Sequence, residues 1–198
     1  MKFDYIEIGT SDFDLLCVKN EGKKGISVEP VRYYFERIPN IEGNTKVHAA
    51  ISRVCRVCDV YYLPPDVIKA EKLPNWVRGC NSIDTPHPTV RKLLGGRHDD
   101  LIIKEQVECF SWDVFAERYE IEEVDRIQID AEGHESLILL GLFEYCEKSG
   151  MRPREIVFEY NELSEKQDMD KIIDKFLGLG YRGDFTTRND FKLVYGQV

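Results

Sequence analysis

The densest set of residues that could carry out chemistry lies between positions 126 and 135, where an apolar alternation meets a group of polar side chains. Four of these side chains can hold or move a proton: Asp130, Glu132, His134 and Glu135. A carboxylate or an imidazole can act as a general base, and carboxylate oxygens can also bind a metal ion. The segment therefore predicts a proton-transfer site. Asp130 is the first candidate for a base or metal ligand, and His134 is the second candidate base.

The elements around this segment indicate how its polar residues are positioned. The alternation before Asp130 predicts a short buried strand, Gly133 predicts a tight turn, and residues 137–140 predict a helix. In an open parallel sheet, ligands bind beyond the carboxyl ends of the strands, so Asp130 is expected to face the binding crevice. Acids in a first helical turn also complement the helix dipole, which accounts for Glu135 and in part for Glu132. Capping explains Asp130 less well, because a buried strand end needs no carboxylate.

This spacing resembles the Asp-x-Glu-Gly-x-Glu signature of the FkbM-type methyltransferases, with Asp130, Glu132, Gly133 and Glu135 at the matching positions. His134 stands where that family usually has a small residue. The resemblance implies transfer of a methyl group from S-adenosylmethionine to a hydroxyl oxygen. It further implies a saccharide or glycan substrate, with the hydroxyl on a deoxyhexose such as rhamnose.

Composition limits the size and the partners of the protein. A chain of 198 residues with 42% hydrophobic residues is long enough for one domain with a sizeable core and too short for two ordinary ones. A formal net charge of -9 without a cluster of Lys and Arg argues against nucleic acid as a partner. No segment approaches the ~18 apolar residues of a membrane span, and no signal-peptide core is present. We expect a cytoplasmic protein, in the host cytoplasm if the source is viral.

The cysteines do not predict a disulfide framework. Six cysteines are scattered through a chain that is not small, which is typical of free thiols in a reducing compartment. Cys55 and Cys58 form the only CxxC in the sequence. A structural zinc site would need a second ligand pair of similar spacing, so metal or redox use of this pair is not favoured.

The N-terminal segment predicts a unit of strand, turn and helix at the cofactor site. Residues 4–8 alternate as a strand, Gly9 ends it, and Thr10 and Ser11 are residue types that begin helices. Glycine lets a backbone approach a ligand, and a helix N-terminus favours a negative group such as a carboxylate. The pair Glu7 and Gly9 resembles the first motif of class I methyltransferases, although Ser11 stands where the fuller motif has Asn. We expect cofactor contacts from Glu7, Gly9, Thr10 and Ser11.

Two further segments complete the predicted cofactor site. Glu29 and Pro30 end a short strand about 20 residues after Gly9, which is the spacing expected for an acid that binds ribose hydroxyls. Residues 46–52 predict a third strand. Its end should lie beside the adenine and consists of Ala50, Ile51 and Ser52. The same frame also suits a nicotinamide cofactor, but the Gly-x-Gly-x-x-Gly that binds a pyrophosphate is absent.

The segment from about 64 to 99 interrupts the regular pattern with five prolines and a Gly-Gly pair. Loops of this length in a compact domain are usually binding loops, and the apolar residues argue against disorder. We interpret it as a substrate-covering loop, and the alternative is a structural excursion whose Trp packs on the core. The expected substrate-binding residues are Trp76, Arg78, Asn81, Ser82 and His87, together with Glu132. The loop resembles a viral branch of the FkbM group, the methyltransferase domain of a multidomain glycan-synthesising protein of chlorella viruses, which implies further domains in a longer chain.

The rest of the chain predicts alternating strands and helices that end in a hairpin. Strands are expected at 101–110, 124–130 and 155–162, and the segments 181–185 and 191–195 should pair as an antiparallel hairpin. This order resembles the Rossmann-like class I methyltransferase sheet, which is mostly parallel with an antiparallel C-terminal hairpin. We therefore predict an α/β fold with a single methyltransferase domain over residues 1–198.

Some similar sugar methyltransferases hold a magnesium ion between a strand-end Asp and polar residues at the end of the next strand. The corresponding residues are Asp130, Glu159 and Asn161, and magnesium prefers such oxygen ligands supplemented by water. Direct proton abstraction by Asp130 is the alternative mechanism. A nicotinamide-dependent oxidoreductase and a non-catalytic nucleotide-binding domain are the alternative functions.

Overall fold

A seven-stranded sheet forms the centre of the protein, of which the computed structural model describes residues 1–11, 15–95, 98–161, 163 and 166–196, without the side chains of residues 98 and 99. In spatial order the strands are β10 (Tyr181–Phe185), β11 (Asp190–Tyr195), β9 (Glu155–Glu159), β8 (Glu123–Ile129), β1 (Lys2–Ile8), β2 (Gly25–Val28) and β3 (Asn44–Val47). The strands from β9 to β3 run parallel, whereas β11 is antiparallel to both β9 and β10. The predicted α/β fold with an antiparallel C-terminal hairpin is confirmed.

Helices connect these strands. They are α1 (Leu16–Lys19), α2 (Arg32–Phe35), α3 (Pro65–Ala70), α4 (Pro88–Leu94), α5 (His98–Leu101), α6 (Trp112–Arg118), α7 (Glu135–Ser149), α8 (Lys166–Gly178) and the 3₁₀ helix η1 (Asn75–Gly79). None of the helices in the described ranges is long and apolar enough to cross a membrane.

Strand β1 is buried on both faces because its side chains pack into two apolar clusters. Ile6 belongs to the main cluster with residues of α6, α7 and α8, such as Leu139 and Phe176. Tyr5 belongs to a second cluster with Leu16 of α1. Parallel strands buried on both faces require apolar residues at most positions, and β1 meets this requirement.

The strand register brings three predicted site residues to one edge of the sheet. β1 and β8 pair as far as Ile8, whose carbonyl accepts the N–H of Asp130 at 2.9 Å. The N–H of Gly9 donates to the carbonyl of Val28, the last residue of β2, at 3.0 Å. The carboxyl ends of β8, β1 and β2 therefore lie side by side, and Asp130, Gly9 and Glu29 follow them directly.

A second sheet overturns the prediction of one strand over residues 46–52. After Val47 the chain leaves the first sheet, and β4 (Ala50–Ile51) pairs in parallel with β7 (Ile103–Phe110). The second sheet continues with β5 (Arg56–Tyr62) and β6 (Ser82–Ile83), both antiparallel to their neighbours. The strand ends at Val47 because the following residues, Ala50 and Ile51, pair instead with β7, which lies far along the sequence.

The segment from 64 to 99, predicted as a substrate-covering loop, is a small unit with helices of its own, and its role in covering a substrate stays a prediction. It contains α3, η1, β6, α4 and the start of α5, although residues 96 and 97 lie outside the described part of the chain. Its own apolar cluster consists of Leu63, Ile68, Val77, Cys80, Val90 and Leu94. Pro65 and Pro88 occupy the first turns of α3 and α4, where proline is favoured because the missing N–H has no helical partner. These two prolines, which interrupt the regular sequence pattern, therefore begin helices.

Candidate active site

A cavity lies at the carboxyl ends of β8, β1, β2 and β4, and β6 forms part of its wall. It brings together twelve of the predicted site residues: Glu7, Gly9, Thr10, Ser11, Glu29, Pro30, Ala50, Ile51, Asn81, Ser82, Asp130 and Glu132. These residues come from the predicted cofactor, catalytic and substrate groups. One concave site with convergent polar groups is the usual form of a ligand-binding site.

Gly9 forms the closest contact between β1 and the end of β8. Its backbone has a φ of 80°, and a Cβ added at this position would lie 1.8 Å from the carbonyl oxygen of Asp130. Sequence analysis predicted that Gly9 lets its backbone approach a ligand. The structure adds a second reason for glycine, since Gly9 permits the backbones of residues 9 and 130 to touch beneath the cavity.

Glu7 lines the cavity and also binds the backbone of α1. Its carboxylate is 3% exposed, and both oxygens accept the N–H of Leu16 at 3.1 Å. Leu16 is the first residue of α1, so a carboxylate of the protein already occupies the helix N-terminus that was expected to attract a negative group of the ligand. Glu7 therefore holds the segment after β1 in place, in addition to lining the cavity.

Glu29 is the most enclosed acid of the cavity, with 2% of its surface exposed. One carboxylate oxygen accepts the N–H of Ser11 and the other accepts the N–H of Val31, both at 2.8 Å. Burial raises the pKa of Glu29 to about 7 in spite of these hydrogen bonds, which act in the opposite direction. Oε2 of Glu29 also accepts the hydroxyl of Thr10 at 3.5 Å, so the remaining acceptor capacity lies mainly at Oε1. Glu29 thus links the segments after β1 and β2 and retains acceptor capacity for hydroxyl groups.

Asp130 lies where several negative charges converge. Asp130 is exposed by surface area, and the loss of solvation beside the surrounding protein is the largest cause that raises the pKa of its side chain to about 8. The carboxylates of Glu132, Glu159 and Glu135 raise it further by repulsion. Water in the cavity screens part of these interactions. A carboxylate with a raised pKa is a stronger base once it is ionised.

Ser52 and His134 form a pair of their own. His134 Nε2 lies 2.9 Å from the hydroxyl oxygen of Ser52, and both residues are buried. Desolvation lowers the pKa of His134, so its ring is neutral near pH 7. Neither residue is among the described residues that line the cavity. This placement argues against His134 as the second base and against Ser52 as a neighbour of adenine.

Residues 130–135 form a turn, called the signature turn below, that is stabilised by Glu135. Its two carboxylate oxygens accept the N–H of Ala131 at 2.8 Å and the N–H of Gly133 at 3.0 Å. Both N–H groups precede α7, so this contact fixes the turn and is not the helix capping expected for Glu135, although an acid in the first turn of α7 suits the helix dipole. The turn also places Glu132 in the left-handed region, with a φ of 48°. Glu135 thus fixes the backbone that presents Asp130 and Glu132 to the cavity.

Two residues of the cavity present buried polar atoms without a hydrogen-bond partner in the described part of the chain. They are the carboxamide oxygen of Asn81 and the hydroxyl of Ser11. Buried polar atoms are nearly always paired, so each of these atoms is suited to a ligand. The hydroxyl of Ser82 differs, because it donates to the carbonyl of Thr85 at 2.6 Å.

Three predicted substrate residues are not among the described residues that line the cavity: Trp76, Arg78 and His87. Trp76 is 57% exposed on η1, whereas His87 is 3% exposed. The ring of His87 lies against the signature turn, where Nε2 is 3.2 Å from Glu132 Oε2. His87 is therefore too enclosed for the predicted direct contact with a glycan.

The predicted magnesium ligands are only partly brought together. Asp130 and Glu159 line a second, neighbouring depression, and burial with repulsion from Glu132 raises the pKa of Glu159 to about 7. The side-chain oxygen of Asn161 instead accepts the N–H of Leu163 at 2.8 Å. This contact engages one of the three oxygens that were expected to bind magnesium.

Sequence analysis missed two features of the site. Gln128 lines both the cavity and the neighbouring depression, and its position two residues before Asp130 on β8 could have revealed it, because alternate residues of a strand share a face. Cys80 lies beside His87 and Glu132, with one ligand atom of each within 4.8 Å of the others. The sequence carries no signal for this group, because Cys80 and His87 belong to one segment and Glu132 belongs to another segment far along the chain.

Comparison with known proteins identifies a family. A family model described as "Methyltransferase FkbM domain" matches residues 7–182. The match contains the cavity residues from Glu7 to Glu132 and ends at Arg182, at the start of the C-terminal hairpin. No curated protein and no solved structure gives a significant match.

Proposed function

Because the chain belongs to the FkbM methyltransferase family, we propose that it transfers a methyl group from S-adenosylmethionine to a hydroxyl oxygen of a saccharide. The observation that carries this proposal is the position of Asp130. Its carboxylate lies at the carboxyl end of β8, in the same cavity as Gly9, Ser11 and Glu29. A candidate base and the candidate cofactor-binding residues therefore line the same cavity.

The residues of the cavity suit S-adenosylmethionine, which supplies an electrophilic methyl group when it is bound. Glu29 has acceptor capacity for a ribose hydroxyl, and the hydroxyl of Ser11, which has no partner among the described residues, offers a further polar contact. Pro30, Ala50 and Ile51 give the cavity an apolar wall that suits the adenine.

In this proposal Asp130 accepts the proton of the acceptor hydroxyl as the oxygen forms its new bond to the methyl carbon. A positioned base contributes typically ~10²–10⁴-fold to a rate. Alignment of the reacting atoms can contribute ~7–11 kcal/mol, which is the larger effect. The carbonyl of Asp130 is fixed against Gly9, and Glu135 fixes the turn that follows. The backbone that carries the Asp130 carboxylate is thus held in place on both sides.

Features of the 64–99 unit support a saccharide acceptor. The indole of Trp76 is 57% exposed on η1, and Gly79 and Asn81 at the end of that helix line the cavity. An exposed indole can stack on the apolar face of a sugar ring, such as that of a deoxyhexose. The carboxamide oxygen of Asn81 has no partner in the described ranges and can accept a hydrogen bond from a sugar hydroxyl.

Mass spectrometry tests the proposed reaction directly. The protein is incubated with S-adenosylmethionine and a panel of glycans, with deoxyhexose glycans compared against their fully hydroxylated hexose counterparts. We expect a mass gain of one methyl group in place of one hydrogen on a deoxyhexose glycan, and the gain should disappear when S-adenosylmethionine is omitted.

Thermal unfolding separates methyl transfer from the nicotinamide alternative. A ligand at a hundredfold excess over its Kd raises the free energy of unfolding by ~2.7 kcal/mol. S-adenosylhomocysteine should therefore raise the melting temperature. Stabilisation by NAD together with no response to S-adenosylhomocysteine would contradict the proposal.

A further inference from the structure

The side chains of Cys80, His87 and Glu132 form a buried group next to the cavity. One ligand atom from each lies within 4.8 Å of the other two. Cys80 is 7% exposed and His87 is 3% exposed, while the side chain of Glu132 is 22% exposed. From this group we propose a binding site for a zinc-type divalent transition metal ion, held by Cys80 Sγ, His87 Nε2 and a carboxylate oxygen of Glu132.

The chemistry of the three donors selects the class of metal. Thiolate and imidazole ligands favour zinc and related transition metals, whereas magnesium and calcium favour sites made of oxygens alone. Three protein ligands also leave a fourth tetrahedral position open, as in catalytic zinc sites. Glu132 also lines the cavity, so the group borders the cavity.

The separations agree with a shared ion. Metal–ligand bonds of ~2.0–2.3 Å at tetrahedral angles place ligand atoms roughly 3.3–3.6 Å apart. His87 Nε2 and Glu132 Oε2 are 3.2 Å apart, and a small adjustment of the Cys80 side chain brings the third donor into range. His87 Nε2 is buried without a hydrogen-bond partner among the described residues, although it lies this close to a carboxylate. Two ligands of one ion lie close together without a hydrogen bond between them, because each directs its lone pair at the ion rather than at the other ligand.

Metal binding changes one existing contact. His87 Nδ1 accepts the N–H of Thr89 at 3.2 Å, at the start of α4. A ring that binds a metal through Nε2 carries its proton on Nδ1, so this contact is lost when the ion enters. The thiol of Cys80 binds as thiolate and releases its proton to solvent.

An ion at this position would connect two parts of the molecule. Cys80 follows η1 and His87 precedes α4, both in the 64–99 unit, whereas Glu132 belongs to the turn after β8. The ion therefore fastens the unit that forms one wall of the cavity to the turn that carries Asp130. It also offsets part of the negative charge of Glu132, which repels the carboxylates of Asp130 and Glu159.

Zinc titration of the full chain tests the site without any methyl transfer. Protein freed of metal with EDTA is titrated with zinc in competition with a chromogenic chelator, and we expect one tightly bound ion per chain. Cys80→Ser and His87→Ala should each weaken binding by more than roughly a hundredfold, because even outer-shell changes cost ~10–100-fold. Cys55→Ser is the matched control, since Cys55 is exposed and lies outside the group, and its zinc affinity should equal that of wild type.

Cobalt provides a second readout, which begins with the wild-type protein. Wild-type protein loaded with cobalt should show a thiolate-to-cobalt charge-transfer band, and the band should be absent from Cys80→Ser. The proposal is overturned if wild type binds no stoichiometric zinc, or if all three variants bind it equally. It is also overturned if magnesium binds in its place. Because neither cofactor nor glycan is present, these outcomes are independent of the proposed methyl transfer.

Discussion

Glu29→Gln probes the most enclosed acid of the cavity through the pH dependence of stability. Glu29 has a pKa of about 7 in the folded protein, raised chiefly by burial, against an ordinary value of 4.5. At pH values between these two, the folded protein holds a proton that the unfolded chain has lost. The free energy of unfolding therefore falls as the pH rises from about 4.5 to about 7.

The size of the effect follows from the shift. One pKa unit corresponds to ~1.36 kcal/mol, so the contribution of Glu29 declines by an amount on the order of 3 kcal/mol across this window. The Gln side chain does not titrate, and its amide can accept only through its single oxygen. Glu29→Gln should thus lose a constant amount of stability from the broken contact with Ser11 or Val31, but it should lack the decline.

Urea unfolding at several pH values measures the difference. Trp112 is 1% exposed in the main core, so its fluorescence reports global unfolding. We expect the stability gap between wild type and Glu29→Gln to narrow or reverse as the pH rises from about 4.5 to about 7. The exposed Glu42→Gln serves as the control and should give a curve parallel to wild type. A constant gap between wild type and Glu29→Gln across the window would refute the reasoning from burial.

Three further substitutions test the site. Asp130→Asn should lower turnover by ~10²–10⁴-fold with little change in cofactor affinity or melting temperature, because the shape is kept and the base is lost; near-normal turnover in a coupled methyl-transfer assay would remove Asp130 from the chemistry. Gly9→Ala should cost more than the ~1–2 kcal/mol of a left-handed backbone, since its Cβ would meet the Asp130 carbonyl at 1.8 Å. Gly22→Ala is the control in the same unfolding experiment, because Gly22 has a φ of 82° and its added Cβ would have no described neighbouring atom within 4 Å. Equal losses of unfolding free energy in the two variants would argue against the steric explanation. Trp76→Ala should raise the KM for a glycan by ~2–10-fold with an unchanged melting temperature, and an unchanged KM would exclude stacking on the indole.

Local sequence patterns determined the central sheet and the strand-end residues of the site. Strand alternation depends on neighbours along the chain, so β1, β8, β9 and the C-terminal hairpin could be recognised from their own residues. Parallel strands end at one edge of a sheet, so Gly9, Glu29 and Asp130 could be assigned to one site before their contacts were known.

The tertiary structure alone decided contacts between distant segments. Ser52 and His134 are 82 residues apart in the sequence, yet their side chains form a hydrogen bond with each other. Neither residue is among the described residues that line the cavity. The division of residues 46–52 between two sheets depends on β7, which follows more than fifty residues later. Cys80 and His87 meet Glu132 only because the 64–99 unit folds against the turn after β8. Such pairings depend on the folding of the whole chain, and no periodicity or spacing within one segment encodes them.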